Sequence, residues 1–372
     1  MVTPLSTNNN YKKVIAHNSP YISKSDLKAV NDSISTGWLA QGSKVIEFEE
    51  ALCRYMSDDQ NTSNLSGVAV SSGTSALFLA LKALGIGKGS DVLVPTYACS
   101  ALLNAVYWAG ATPIPVDVST AHFNPTVDMC FNALTPATEA LVLTHTFGVP
   151  VDTRKYKDLG IKIVEDCCQS IGASYDDRKV GLVGDIAVFS FYATKMITTG
   201  QGGMVLSHDK SLIDKVRDYR DYDGREHYYP SFNFQMTDFQ AALGISQLER
   251  LPSFMTQRSN NAQRYIDAIG KGAESLLQLG AEDASPNWYR FVLKLGTRLE
   301  DFKMVFDQNR ISCIQPVHNN ELLHKHLNLP QVDFPCSEEI SGSVLSIPVF
   351  PALNETQICR IEQVLSDLVL EI

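Results

Sequence analysis

Residues 66–118, SGVAVSSGTSALFLALKALGIGKGSDVLVPTYACSALLNAVYWAGATPIPVDV, alternate short apolar runs with longer helical ones. GVAVSS (67–72) reads as a strand, and TSALFLALKALG (74–85) as a helix ended by Gly85. SDVLVP (90–95) is a strand stopped by Pro95, CSALLNAVYWAG (99–110) a helix, and ATPIPVDV (111–118) a third strand-length run. Such alternation implies a mostly parallel sheet covered by helices on both faces.

The same rhythm continues outward. ALVLTH (140–145), IKIVED (161–166), DIAVFSF (185–191) and GGMVLS (202–207) are further apolar runs of strand length. Upstream, Ser23 with Asp26 fits a capping box before LKAVNDSI, and a second helix covers SKVIEFEEALCRYM (43–56). Downstream, Thr237 with Gln240 forms another box opening TDFQAALGISQLERL (237–251), and Pro252 breaks the pattern. A helix near 253–270, a strand NWYRFVLKL (287–295), a helix near 300–309 and a last helix capped by Asn354 with Gln357 follow. The expected fold is therefore an α/β three-layer sandwich with a mostly parallel central sheet, plus a smaller C-terminal α+β domain. Residues 1–20 read as an N-terminal arm, 21–250 as the large domain and 251–372 as the small one.

Composition narrows the function. With 372 residues the chain can bury an ample core. Its net charge of −10 repels phosphate backbones, so nucleic acid is a poor partner, although a local basic pocket still admits a phosphorylated small molecule. The start, MVTPLSTNNNYKK, lacks the apolar core of a signal peptide, and no run approaches the ~18 apolar residues of a membrane helix. A cytoplasmic location without membrane contact is expected. The eight cysteines form no CxxC pair and read as reduced.

In an open α/β sheet, ligands gather at the carboxyl ends of the strands. Four polar segments fall there: Ser71–Ser75, Pro95–Cys99, Glu165–Gln169 and Ser190–Lys195. The N–H groups around Gly73 and Thr74 at a helix start suit a phosphate, though alone an ordinary capped helix explains them. Asp166 could bind a metal, act as a base, pair with a ring nitrogen or cap the next helix. Lys195 at the end of a buried strand is unusual, because lysines usually stay solvated. Burial is expected to lower its pKa and make it a Schiff-base nucleophile. The glycines of TGQGG (199–203) give a tight turn into the next strand. A phosphate cradle, an acid about ninety residues on, and a lysine about thirty later match the plan of pyridoxal-phosphate (PLP) enzymes.

Several ordered motifs carry this further: GWLAQGSKVIEFE, SSGTSAL, VPTYACSALLNAVYWAGATPIPVDV, HTFGVPVD, EDCCQSIGA, SFYATKMITTGQGG, NFQMTDFQAALGISQL and PVFPALNETQ. With them the chain resembles the fold type I sugar aminotransferases of the DegT/StrS group over roughly residues 18–360. The resemblance implies PLP as cofactor, with pyridoxamine phosphate as the aminated intermediate. It makes Lys195 the Schiff-base and proton-shuttling residue and Asp166 the partner of the pyridinium N–H. Gln169 would bond the ring hydroxyl, and Ser190, Gly73 and Thr74 would hold the phosphate. Asn233 would reach the phosphate of a neighbouring subunit, which implies a homodimer with its active sites at the interface. The implied reaction takes an amino group from a donor, glutamate, to a nucleotide-linked keto-deoxysugar. A cyclitol or other non-sugar ketone, and a non-catalytic PLP-binding regulator, stay open as alternatives.

Three positions depart from the pattern. Cys99 stands where the family places an aromatic against the ring, and Cys167 and Cys168 replace two alanines. Cys99 and Cys168 are expected to flank the ring on opposite faces, with Tyr97 able to compensate. Gln201 replaces a glutamate, and Gln235 an arginine. Trp38, Tyr97 and His318 are candidate substrate contacts. GIGKGSD (85–91) lacks phosphate-loop spacing and reads as a turn. His318, His324 and His326 have no carboxylate or cysteine to complete a metal set and read as solvated.

Overall fold

The computed structural model describes residues 14–57, 64–223, 226, 228–270, 273–278 and 280–370. The first thirteen residues of the expected arm lie outside them.

Helices α1 (Lys24–Ser35) and α2 (Ser43–Met56) lead into a succession of strands and helices. These are β1 (Ser66–Val70), α3 (Gly73–Ala83), β2 (Asp91–Pro95), α4 (Ala101–Ala109), β3 (Thr112–Val116), α5 (Val127–Asn132), β4 (Thr138–Thr144) and β5 (Lys162–Asp166). A small hairpin, β6 (Ser174–Tyr175) and β7 (Arg178–Lys179), precedes β8 (Ile186–Ser190), β9 (Gly203–Ser207) and α6 (Lys210–Arg220). The central sheet has seven strands in the order β1-β9-β8-β5-β4-β2-β3. Its β8-β5-β4-β2-β3 ladders are parallel, whereas β9 runs antiparallel to both β1 and β8.

The near-continuous apolar strands follow from burial on both faces. Along β4, Ala140 and Val142 enter the core under α3 and α4, while Leu141 and Leu143 enter one on the other face. Along β8, Ile186 and Val188 face α3, while Ala187 and Phe189 join the core under α2. Period-two alternation thus assigns each residue a layer.

Helix α7 (Asp238–Ile269) corrects one expectation. Pro252 does not end it; the helix runs 32 residues with the proline inside. The first half packs with α1 and α2, and the second half contributes Ala262, Tyr265 and Ile269 to the C-terminal core. The boundary expected near residue 250 therefore falls within one helix. Burial along both halves holds the helix through the lost donor at Pro252.

Beyond it lie α8 (Ala273–Leu276), β10 (Ala284–Ser285), β11 (Phe291–Lys294), α9 (Leu299–Gln308), α10 (Leu323–His326), α11 (Pro335–Ser341), β12 (Val344–Ile347) and α12 (Glu355–Leu370). β11 pairs antiparallel with β12, and β10 joins the β6–β7 hairpin. Ile15 enters the C-terminal core: its N–H donates to the Arg310 carbonyl at 2.8 Å, and Ser312 N–H donates back to its own. The expected boxes at Ser23/Asp26, Thr237/Gln240 and Asn354/Gln357 all form. Among the described residues no helix is long and apolar enough to cross a membrane.

Candidate active site

Strands β1 and β8 are both antiparallel to β9, so they point the same way as β5 and β2. Their carboxyl ends share one edge of the sheet. Ser71–Thr74, Ser190–Lys195, Asp166–Gln169 and Thr96–Cys99 thus gather there.

At α3, Ser72 and Ser75 cap each other: Ser72 N–H donates to Ser75 Oγ at 2.9 Å, and Ser75 N–H to Ser72 Oγ at 3.1 Å. This reciprocal cap engages neither the Gly73 nor the Thr74 N–H between them. A Cβ on Gly73 would lie 2.8 Å from Ser190 Cβ and 3.2 Å from Cys168 Sγ, so the helix start, β8 and the loop after β5 close on one point. A Cβ on Gly203 would come within 2.3 Å of the Ser72 carbonyl oxygen. Gly203, the first residue of β9, therefore serves this close approach, while Gly200 before it takes the positive φ of the turn.

Beside Gly73, the end of β5 divides its two carboxylates by the pleat. Glu165 turns into the layer below and is fully enclosed. It accepts from His145 at 3.2 Å, from Thr153 Oγ1, and from the N–H groups of Gly181, Val183 and Gly184. Burial opposes its charge, but His145 and those N–H groups outweigh burial and bring its pKa down to about 2. Asp166 turns to the edge, and its Oδ1 accepts from Cys168 N–H at 2.9 Å. Gln169 Oε1 accepts from Phe147 N–H at 2.8 Å, which holds Phe147 at a φ of 60° that bulky residues rarely adopt. Asn287, missed in the sequence, donates to the carbonyls of Gln169 and Ile171 and clamps this loop to the segment leading into β11.

Lys195 stands half-buried in the middle, its Nζ 5.3 Å from the centroid of the Tyr289 ring. The direction of its pKa corrects the expectation. Burial does oppose its charge, but Tyr289, Cys168, Cys99 and Asp166 together favour it, and the net movement is upward from the ordinary lysine value. Lys195 acts in turn on Tyr289, whose pKa falls although burial opposes this. Cys168 is half-buried and burial raises its thiol well above the ordinary value, whereas Cys99 is exposed at the rim, its thiol raised by the protein packed around its sulfur. Asn18, in the expected arm, donates to the Thr194 carbonyl at 2.8 Å and ties the chain's start to this loop.

Tyr289 and Arg290 were not singled out in the sequence because NWYRFVLKL reads only as a strand. Their tertiary neighbours give them their place. The Arg290 guanidinium lies 5.3 Å from the Tyr289 ring centroid and 5.6 Å from that of Phe147.

Other expected residues fall elsewhere. Tyr97 is 1% exposed and packs edge-on against Phe123 and Phe147, behind the site. Trp38 is exposed, donates to the Gln41 carbonyl, and lines a cavity between α1, α2 and α7. His318 is exposed and its N–H donates to Glu321. Asn233 is exposed between Phe232 and Phe234, which stack on each other and pack edge-on against Phe78. Gln201 points outward, and its carbonyl accepts from Thr199 and Gln240. Gln235 donates to Asp221, which Arg220 also holds. His324 is buried rather than solvated as expected: it bonds Thr96 at 2.8 Å and Glu338 at 3.0 Å and stacks on Phe334. GIGKGSD is a turn with Gly85 and Gly89 at positive φ. Among the described residues there is no metal-holding cluster and every cysteine is free.

Residues 20–366 match the DegT/DnrJ/EryC1/StrS aminotransferase family. The spore coat polysaccharide biosynthesis protein SpsC of Bacillus subtilis is 30% identical, across 95% of this chain and 97% of its own. The GDP-perosamine synthase of Escherichia coli O157:H7 is also 30% identical, across 94% and 97%. Among solved structures, S. venezuelae DesV superposes with a TM-score of 0.84 at 29% identity, covering 93% of this chain and 95% of that one. An aminotransferase from Psychrobacter cryohalolentis gives 0.86 at 26%, covering 95% and 98%.

Proposed function

The chain belongs to the DegT/DnrJ/EryC1/StrS aminotransferase family, and from that premise we propose that it moves an amino group from glutamate to a nucleotide-linked keto-sugar, using PLP held by Lys195. The observation that carries this is the convergence of Lys195, Asp166 and the Gly73 and Thr74 N–H groups at the start of α3, which the Ser72/Ser75 cap leaves unengaged, on one sheet edge.

The donor set fits the cofactor. The N–H groups of Gly73 and Thr74 and the Ser190 hydroxyl would hold its phosphate, where the missing Cβ of Gly73 leaves room. Asp166 would accept the ring N–H, and Gln169 would bond the ring hydroxyl. Cys99 and Cys168 would flank the ring on opposite faces, packing softly against it. When bound, PLP supplies an electron sink for charge developing on the substrate carbon. Lys195 carries a proton to and from that carbon at Nζ. Its neighbours Tyr289, Cys168, Cys99 and Asp166 set that proton's affinity.

Asn233 supports a homodimer: its aromatic neighbours turn inward, which leaves the amide outward for a second subunit. A smaller C-terminal domain starting within α7 and a cytoplasmic location complete the reading.

The test is spectroscopic. Glutamate added to the PLP-loaded protein should abolish the lysine-linked absorbance, and a nucleotide-linked keto-sugar should restore it. Lys195→Ala should lose both that absorbance and turnover. An unchanged spectrum with glutamate would favour a binding protein, and restoration only by a cyclitol-derived ketone would replace the sugar.

A further inference from the structure

We propose that Arg290 is the anchor for a carboxylate of the amino donor, in a pocket on the C-terminal-domain side of Lys195. This rests on the amino-transfer reading above and assigns the donor a site.

His17, Asn18, Arg258, Tyr289 and Arg290 form the polar part of the pocket's lining, and apolar side chains, Val349 among them, form the rest. Two guanidiniums meet there with no anion to balance them. Among the described residues, neither Arg258 nor Arg290 forms an ion pair with an Asp or Glu within 4.0 Å. The Nε of each is buried without a hydrogen-bond partner. A buried guanidinium without a counter-charge is costly, so this pocket favours an anion.

The two arginines differ in what they can offer. Arg258 is 2% exposed, and its Nη1 donates to the carbonyls of Trp288 and Tyr289. It supports the pocket from behind. Arg290 is half-buried, and among the described residues its Nη1 reaches only His17 Nε2, at 3.4 Å. His17 adds no competing charge. Burial first, then Arg290 and Arg258, hold its pKa down to about 3, so it is neutral and accepts.

Position and shape identify the ligand. Arg290 and Lys195 each lie 5.3 Å from the Tyr289 ring centroid, so they are no farther apart than twice that distance. That bound sets the longest span that an amino-acid donor with its nitrogen at Lys195 would have to bridge with its carboxylate. The guanidinium fork matches a carboxylate in two parallel hydrogen bonds. The phosphate-sized cradle is elsewhere, at Gly73 and Ser190. Asn18, bound to the Thr194 carbonyl, joins the pocket to the lysine loop.

The test uses the PLP-loaded protein and glutarate, a dicarboxylate without an amine or ketone to react. Calorimetry should give saturable binding to the wild type, about 10- to 100-fold weaker in Arg290→Gln and intermediate in Arg290→Lys. The glutamate concentration that half-converts the absorbance should rise by a similar factor. Reaction with hydroxylamine, which has no carboxylate, should proceed unchanged in both variants, showing that folding and cofactor are intact. No glutarate binding by the wild type, or equal binding by Arg290→Gln, overturns the anchor. If glutarate binds as expected but glutamate leaves the wild-type spectrum unchanged, the amino-transfer reading fails while the anion site stands.

Discussion

Gly73 lies so close to Ser190 that a Cβ at residue 73 would stand 2.8 Å from the Ser190 Cβ. The contact joins the start of α3 to the end of β8, and Cys168 Sγ closes the third side at 3.2 Å. A methyl group there has to push back β8, Cys168 or the helix. Gly73→Ala should lower stability by about 1–3 kcal/mol and weaken PLP binding by displacing the N–H groups that would meet the phosphate. Ser190→Gly in the same chain should recover stability, since it removes the side chain the methyl meets, but not full cofactor affinity. Thermal unfolding and a cofactor titration of both variants check this; a Gly73→Ala protein with wild-type melting would rule out the overlap.

Lys195 in the cofactor-free chain should titrate above an ordinary lysine, because the groups around it outweigh its burial. Tyr289 is foremost among them, so Tyr289→Phe should move the midpoint down. The pH dependence of acylation at Lys195, followed by mass spectrometry, reads this directly. A wild-type midpoint below that of an ordinary lysine would restore the simpler picture in which burial dominates.

Much of this site could be read from the chain because its members end strands. Strands buried on both faces appear as unbroken apolar runs, so the residues after Val70, Pro95, Val164 and Phe189 were already marked as a sheet edge. The contribution of Asn287, Tyr289 and Arg290 could not be read that way. NWYRFVLKL carries the local pattern of any strand, and its approach to Lys195 is made by the packing of distant elements. His324 shows the same limit: LHKH looks solvated, yet Thr96, Glu338 and Phe334 enclose it.

Glu165 should give the protein an acid-sensitive component of stability. Its folded pKa of about 2 lies below the ordinary 4.5, so the unfolded chain takes up the proton first as pH falls. Stability on the order of 3 kcal/mol is therefore in place above about pH 4.5 and is lost as pH drops through about 2. Glu165→Gln should be less stable at neutral pH and show a shallower fall over that window. Denaturant unfolding at stepped pH would detect it; parallel curves for the two proteins would remove Glu165 from the account.

His324 bridges Thr96, just past β2, to Glu338 on α11, and so fastens α11 to the active-site edge. His324→Ala opens a cavity beneath Phe334 and strands both hydrogen-bond partners. The expected cost is about 2–4 kcal/mol in thermal or chemical unfolding. Loss of under 0.5 kcal/mol would mean that α11 docks on the sheet edge without this residue.

Pro252 offers the last test, because it set sequence and structure most directly against each other. Its ring removes one backbone donor inside α7, and a proline at an interior helix position costs about 3 kcal/mol relative to alanine. The helix persists because residues on both sides of the proline are anchored separately. Leu248 and Leu251 enter the core under α2, and Ala262, Tyr265 and Ile269 enter the C-terminal core. Relief of the missing bond should then raise stability. Pro252→Ala should unfold at higher temperature, gaining about 1–3 kcal/mol, the deficit from the full figure reflecting the greater freedom of the unfolded alanine chain. Pro252→Gly should gain less, since glycine restores the donor but adds still more freedom to the unfolded state. If both variants melt lower than the wild type, the proline's ring is itself packed into the junction between the two cores, and the helix continues because of the proline rather than despite it.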